Sequence, residues 1–242
     1  DSGLCCTHPY QASSIFRAFP PPLFWTRSKL FRELLEAKMY SLLSGLYRYM
    51  TEKVQYQVLV LGLDYAGKTT LKEQCQRIFG DKNKLGTPSI IQERMTPTVG
   101  LNIGKLEIGN TKLLLWDLGG QEGLRVIWQN YYAESHAIMY VVDATDTHRL
   151  REAHSELKSL LSEKSLEGAP LLLLANKQDM KGAKDEKYIA QFMDSDTFAR
   201  ERKIKVLGIS AKQGTKVKDA INWLLKEIPI CHRTSQVKLE SL

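Results

Sequence analysis

Between an apolar run at residues 56–61 and a stretch with helical spacing lies Gly62-Leu63-Asp64-Tyr65-Ala66-Gly67-Lys68-Thr69, the part of the chain that most constrains its fold. A strand, a glycine turn and a helix in that order require a sheet whose strand ends open onto a crevice. The glycines let backbone N–H groups turn inward around phosphate oxygens. The following helix adds its positive end, Lys68 reaches the terminal phosphates, and Thr69 offers a hydroxyl to Mg²⁺. Thr70 completes the phosphate-binding set. Alone, the segment marks only some nucleoside triphosphate, and a chance glycine turn is the bland alternative.

From Tyr56 onward, strand-like runs alternate with helical stretches. Strands are expected at 56–61, 101–108, 112–116, 137–142, 171–175 and 204–209, with helices following Lys68, Leu124, Thr147, Asp185 and Thr215. This alternation predicts an α/β fold, a mostly parallel six-stranded sheet with helices on both faces. Gly109-Asn110 between two runs reads as a hairpin turn and gives one antiparallel edge strand.

Three further motifs fall at expected strand ends. In Trp116-Asp117-Leu118-Gly119-Gly120-Gln121, Asp117 can hold the metal, through water, and Gly120 can offer its N–H to the γ-phosphate. Gln121 can orient an attacking water as the catalytic residue. In Asn176-Lys177-Gln178-Asp179, the carboxylate can accept both the N1–H and the exocyclic amine of guanine, a donor pair that adenine lacks. Ser210-Ala211-Lys212 would present the Ala211 N–H to the guanine oxygen. Four such motifs, each at the carboxyl end of a strand where open α/β sheets bind ligands, point to GTP and GDP. A Thr in the polar loop ahead of residue 100 can reach Mg²⁺ only when a γ-phosphate is present. Thr98 is preferred to Thr96 because it immediately precedes Val99-Gly100 and the next strand.

The 242 residues are 43% hydrophobic, enough for one main core. The formal charge of +7 is spread without a dense basic run, which argues against nucleic acid and fits mild attraction to anionic membrane. Cys5, Cys6, Cys75 and Cys231 lack metal-type spacing and are expected as free thiols. No run approaches the roughly 18 apolar residues of a spanning helix. The expected organisation is an irregular extension over 1–38, an amphipathic helix and linker over 39–54, a GTPase domain over 55–230 and a polar C-terminal tail over 231–242. Leu42, Leu43, Leu46, Tyr47 and Met50 carry the helix's apolar stripe.

With these residues assembled, the chain from Met39 to Ile230 resembles the Arf family of small GTPases. The marks are Gly62-Leu63-Asp64, Pro97-Thr98-Val99-Gly100, Trp116 through Glu122, and Asn176-Lys177-Gln178-Asp179. The long segment over 80–95 favours the family's Arf-related, Arf-like branch. The resemblance implies a GTP-hydrolysing switch regulating vesicle-mediated and intracellular protein transport at the Golgi and trans-Golgi network. It implies an exchange factor, an activating protein, effectors, a Golgi membrane receptor and a monomer that is cytoplasmic and peripherally membrane-bound.

Leu101, Trp116 and Tyr131 match the family's effector-contacting aromatic triad, with Leu101 where an aromatic is usual and core packing the alternative for Trp116. Asp64 would stand near the γ-phosphate as a brake on hydrolysis, or else turn to solvent. The resemblance begins at Met39, the expected functional N-terminus, where Tyr40 in place of Gly excludes myristoylation. The amphipathic helix would bind membrane weakly, or pack permanently on the domain. Two rival readings are an ATP-dependent phosphotransferase and a pseudo-GTPase scaffold that holds nucleotide without turnover.

Overall fold

The computed structural model describes residues 38–45, 53–80, 98 and 100–240. Contacts divide the chain into two units, Asp1–Glu52 and Lys53–Leu242. In the first, residues 38–45 are helical (α1), with Met39, Tyr40, Leu42 and Leu43 exposed. The expectations for residues 1–37, for Leu46, Tyr47 and Met50, and for the segment 81–97 with Thr96 lie outside the described residues. No described helix is long and apolar enough to cross a membrane.

The described residues of the second unit form six strands: β1 (Val54–Leu61), β2 (Leu101–Ile108), β3 (Thr111–Leu118), β4 (Ala137–Asp143), β5 (Leu171–Asn176) and β6 (Ile204–Gly208). Their order across the sheet is β2-β3-β1-β4-β5-β6. Only β2 and β3 pair antiparallel, across Gly109-Asn110, where Gly109 at φ +58° supplies the positive φ that a two-residue hairpin turn needs. As expected, the sheet is mostly parallel with one antiparallel edge strand. The central strands β4 and β5 are continuous apolar runs, because parallel strands covered by helices are buried on both faces. Each fully buried Leu of β5 contributes roughly 1.5–3 kcal/mol by leaving water. The edge strand β2 instead alternates buried Gly104 and Leu106 with exposed residues.

Helices α2 (Lys68–Phe79) and α6 (Val217–Glu227) cover one face of the sheet, where Leu71, Cys75, Ile221 and Leu224 meet Val58 and Leu172. The other face packs α3 (Leu150–Leu161), α4 (Glu186–Phe192) and a 3₁₀ segment over Glu122–Tyr131 around Leu59, Tyr140 and Leu173. The Tyr140 hydroxyl donates to the Ala153 carbonyl at 2.9 Å, which ties β4 to α3. Asp185 caps α4 by accepting from the Tyr188 N–H, so the sequence places that helix's start correctly. The short α5 (Ser195–Phe198) follows.

Two expectations change. The helix placed after Leu124 is the tighter 3₁₀ segment Glu122–Tyr131. The polar tail over 231–242 contains α7 (His232–Glu240), which is docked on the domain. Buried Arg233 donates to the carbonyls of Ser135 at 2.7 Å and Tyr132 at 2.5 Å, and Thr234 donates to Ile228 O. The Tyr132 and Ser135 carbonyls lie just past the 3₁₀ segment, and a guanidinium satisfies several at once. The domain therefore runs beyond residue 230.

Candidate nucleotide and metal site

The four motifs meet along one end of the sheet, at the carboxyl ends of β1, β3, β5 and β6. Gly67 sits at φ +96° immediately before α2, and a Cβ there would lie 2.3 Å from Asn176 Nδ2, so only glycine fits. Lys68 is buried in the first turn and donates from Nζ to Gly62 O at 2.9 Å and Leu63 O at 2.8 Å. Burial pulls its ammonium down to about 8, against the opposing pull of Asp117 and Asp64. A Cβ on Gly120 would lie 2.4 Å from Lys68 Nζ and 2.5 Å from the Asp64 N. The Gly120 backbone, the loop's Asp64 amide and the lysine ammonium thus converge, as a phosphate cradle requires. Tyr65, at φ +59°, faces outward, and Thr70 is half-buried.

Thr69 Oγ1 lies 2.7 Å from Thr98 Oγ1 and donates to Asp117 Oδ2 at 2.7 Å. These three oxygens come from α2, the loop before β2, and β3. Hard oxygen donors in this number suit Mg²⁺, which takes a few protein ligands and keeps its waters. Asp117 is buried and its Oδ1 has no partner among the described residues, so the site holds an acceptor that a hydrated cation would satisfy. Burial pushes the Asp117 carboxyl up, opposed by the Thr69 hydrogen bond and by Lys72 and Lys68. The residues fit the metal.

At the other end of the cleft, Asn176 joins three loops. Its Nδ2 donates to the Ala66 carbonyl at 2.8 Å, and its Oδ1 accepts the Ala211 N–H at 2.9 Å. That amide was expected to face a guanine oxygen; here it is committed to Asn176, because a buried N–H takes the nearest acceptor. Asp179 is exposed, and its Oδ1 accepts from buried Ser210 Oγ at 2.6 Å, which orients the carboxylate. Lys177, at φ +68°, pairs its ammonium with Asp143 Oδ2 at 2.6 Å. Burial alone would raise the Asp143 carboxyl, but Lys177 and Thr145 hold it below its usual range. Lys212 is exposed beside Ala211.

Gln121 is exposed at the start of the 3₁₀ segment, one residue from the cradle's Gly120. Trp116 is buried against Tyr131, edge to face at 5.4 Å, so in this conformation it packs as core, with half-buried Leu101 nearby in the same cluster. Asp64 neither turns to solvent nor stands free: it pairs with Arg149 at 2.5 Å. Sequence reasoning passed over Arg149, Glu152 and Arg125. It also passed over Lys72, a buried cation one turn beyond Lys68 whose stem lies under Gly104.

Such a cleft at the strand ends of a doubly covered parallel sheet defines a P-loop nucleotide-binding protein. The model of the ADP-ribosylation factor family matches residues 41–228. ADP-ribosylation factor-related protein 1 of Homo sapiens is 43% identical over 189 residues, covering 78% of this chain and 92% of the relative. ADP-ribosylation factor-like protein 3 of Saccharomyces cerevisiae is 39% identical, covering 77% and 92%. Among solved structures, the Arl6 BBS3 small GTPase of Trypanosoma brucei, with the bound nucleotide analogue GppNp, matches with a TM-score of 0.62. The two are 29% identical, and the match covers 73% of this chain and 98% of that one. The chain belongs to the ADP-ribosylation factor family of small GTPases, a family that binds GTP and GDP.

Proposed function

We propose that the chain is a GTP-hydrolysing switch that regulates vesicle-mediated protein transport at the Golgi and trans-Golgi network. The observation that carries the hydrolytic part is the convergence of Thr69, Thr98 and Asp117 beside the Gly120-Gln121 strand end. The transport role draws support from the similarity to ADP-ribosylation factor-related protein 1.

In this reading the loop Gly62–Thr70 holds the phosphates with backbone amides and the Lys68 ammonium. Thr69, Thr98 and, through water, Asp117 would hold Mg²⁺, which would supply positive charge opposite the phosphoryl oxygens. Gln121 orients the attacking water, and the Gly120 N–H faces the γ-phosphate. Asn176 and Lys177 shape the base pocket, and Asp179 accepts the two guanine donors. Thr98 engages only with a triphosphate, so hydrolysis releases its loop and with it the surface offered to effectors. An exchange factor and an activating protein set the two rates, and the membrane carries the switch through a receptor.

Gln121→Leu is expected to keep nucleotide affinity while lowering activating-protein-stimulated single-turnover hydrolysis at least about tenfold, or 1.4 kcal/mol of barrier. Locked with GTP, the same variant should collect on Golgi membranes in cells. Unchanged stimulated turnover would remove Gln121 from the role. Equal cytoplasmic distribution of the GTP- and GDP-bound forms would remove the Golgi reading.

A further inference from the structure

A carboxylate in a phosphate loop opposes the negative charge that the loop binds. Asp64 is such a carboxylate. Its own amide lies in the cradle beside Lys68 Nζ and Gly120, so an unrestrained side chain would sit within reach of the terminal phosphate. Arg149 prevents this. From the start of α3 it donates through NH2 to Asp64 Oδ1 at 2.5 Å and through NH1 to the Asp64 carbonyl at 3.4 Å. The contact joins residues 85 positions apart and draws the carboxylate toward α3.

Arg149 does not act alone. Its Nε pairs with Glu152 Oε2 at 3.1 Å, and Glu152 Oε1 takes Arg125 NH2 at 2.6 Å. Arg125 is largely buried in the 3₁₀ segment and donates from Nε to the Gly120 carbonyl at 3.0 Å. A continuous chain therefore runs from Gly120, through Arg125, Glu152 and Arg149, to the phosphate-loop carboxylate. The two ends of the chain flank the same cradle. Both arginines remain charged at any physiological pH, so the chain depends on geometry alone.

We propose that Arg149 is a positioning residue for nucleotide discrimination: it holds the Asp64 carboxylate aside and neutralised, so that the loop tolerates the extra charge of a triphosphate. Glu152, shared with Arg125, ties that hold to the Gln121 segment. The inference rests on the GTP reading above.

The test measures GTP and GDP affinities of the full chain in Mg²⁺ by displacement of a fluorescent guanine nucleotide. Arg149→Ala should weaken GTP relative to GDP at least about fivefold, since an unpaired carboxylate then faces the added phosphate charge. Arg149→Lys, which keeps the charge, should lose less. Adding Asp64→Asn to Arg149→Ala should restore the wild-type ratio, a rescue that a purely structural role for Arg149 would not give. Arg149→Gln supplies the same comparison if the alanine variant fails to fold. An unchanged GTP-to-GDP ratio in the neutral variants, or no rescue by Asp64→Asn, would overturn the inference. Failure of the wild-type chain to bind guanine nucleotides would instead overturn the GTP reading itself.

Discussion

Replacing Asn176 by Ala is expected to destabilise the domain by about 2–4 kcal/mol and to lower its melting temperature by about 5–15 °C. The reason lies in what one buried amide joins. Asn176 ends β5, gives Nδ2 to the phosphate loop at Ala66 and takes the Ala211 N–H from the loop after β6. Truncation leaves a buried carbonyl and a buried N–H without partners, and each such orphan costs about 1–3 kcal/mol. Nucleotide affinity should fall with stability, because the phosphate loop and the base-side loop lose their common anchor. Asn176→Asp is a useful companion: it keeps the acceptor for Ala211 but loses the donor to Ala66, so it should stay unstable. Thermal melts with and without GDP check both. A change below about 1 kcal/mol for Asn176→Ala would show that the joint is dispensable.

Asp179→Asn is expected to weaken GTP binding at least about a hundredfold, since charge-assisted hydrogen bonds contribute roughly 1.5–3 kcal/mol each. The carboxylate offers two acceptors to guanine's two donors. An amide replaces one acceptor with a donor, which faces the exocyclic amine donor to donor. Ser210 Oγ donates to Asp179 Oδ1, and the same bond would keep the amide oxygen on that side and its NH₂ on the other. A base with a carbonyl in place of the amine should then bind better to the variant than guanine does. Titration with xanthosine and guanosine triphosphates checks the reversal; an unreversed preference would take Asp179 out of base recognition.

The sheet was legible because its signals are local. The apolar run over 137–142 and the Leu-rich run at 171–175 read as covered strands, and Gly109-Asn110 marks the hairpin. Each motif was placed at a strand end, and the structure gathers the motif residues Lys68, Thr69, Asp117 and Asn176 at one end of the sheet, across its strands' carboxyl ends. What stayed hidden depends on distant pairs. Arg149 and Glu152 three residues apart read as an ordinary helix-surface pair, and nothing in the local pattern sets Arg149 against Asp64.

The docked α7 was hidden for a related reason. Arg233 and Thr234 attach it through carbonyls, while its polar composition suggests a solvated tail. The 3₁₀ form of Glu122–Tyr131 is a tertiary outcome too: buried Trp128 donates to the Gly119 carbonyl at 2.9 Å, fixing the segment against the end of β3. The Ala211 amide illustrates a third limit. Sequence order places it near the base, but only the structure reveals that Asn176 already accepts its hydrogen.

Whether this cleft reads guanine and not merely a phosphate chain is decided by competition on the wild-type chain. A fluorescent guanine nucleotide bound in Mg²⁺ is displaced in parallel by GTP, GDP, ATP and ADP. Both guanine nucleotides should displace it, with adenine nucleotides weaker by about 10⁴-fold or more, because adenine leaves the Asp179 acceptors without their donor pair. ATP competing within about tenfold of GTP would contradict guanine recognition and return the cleft to the general class of phosphate-loop proteins.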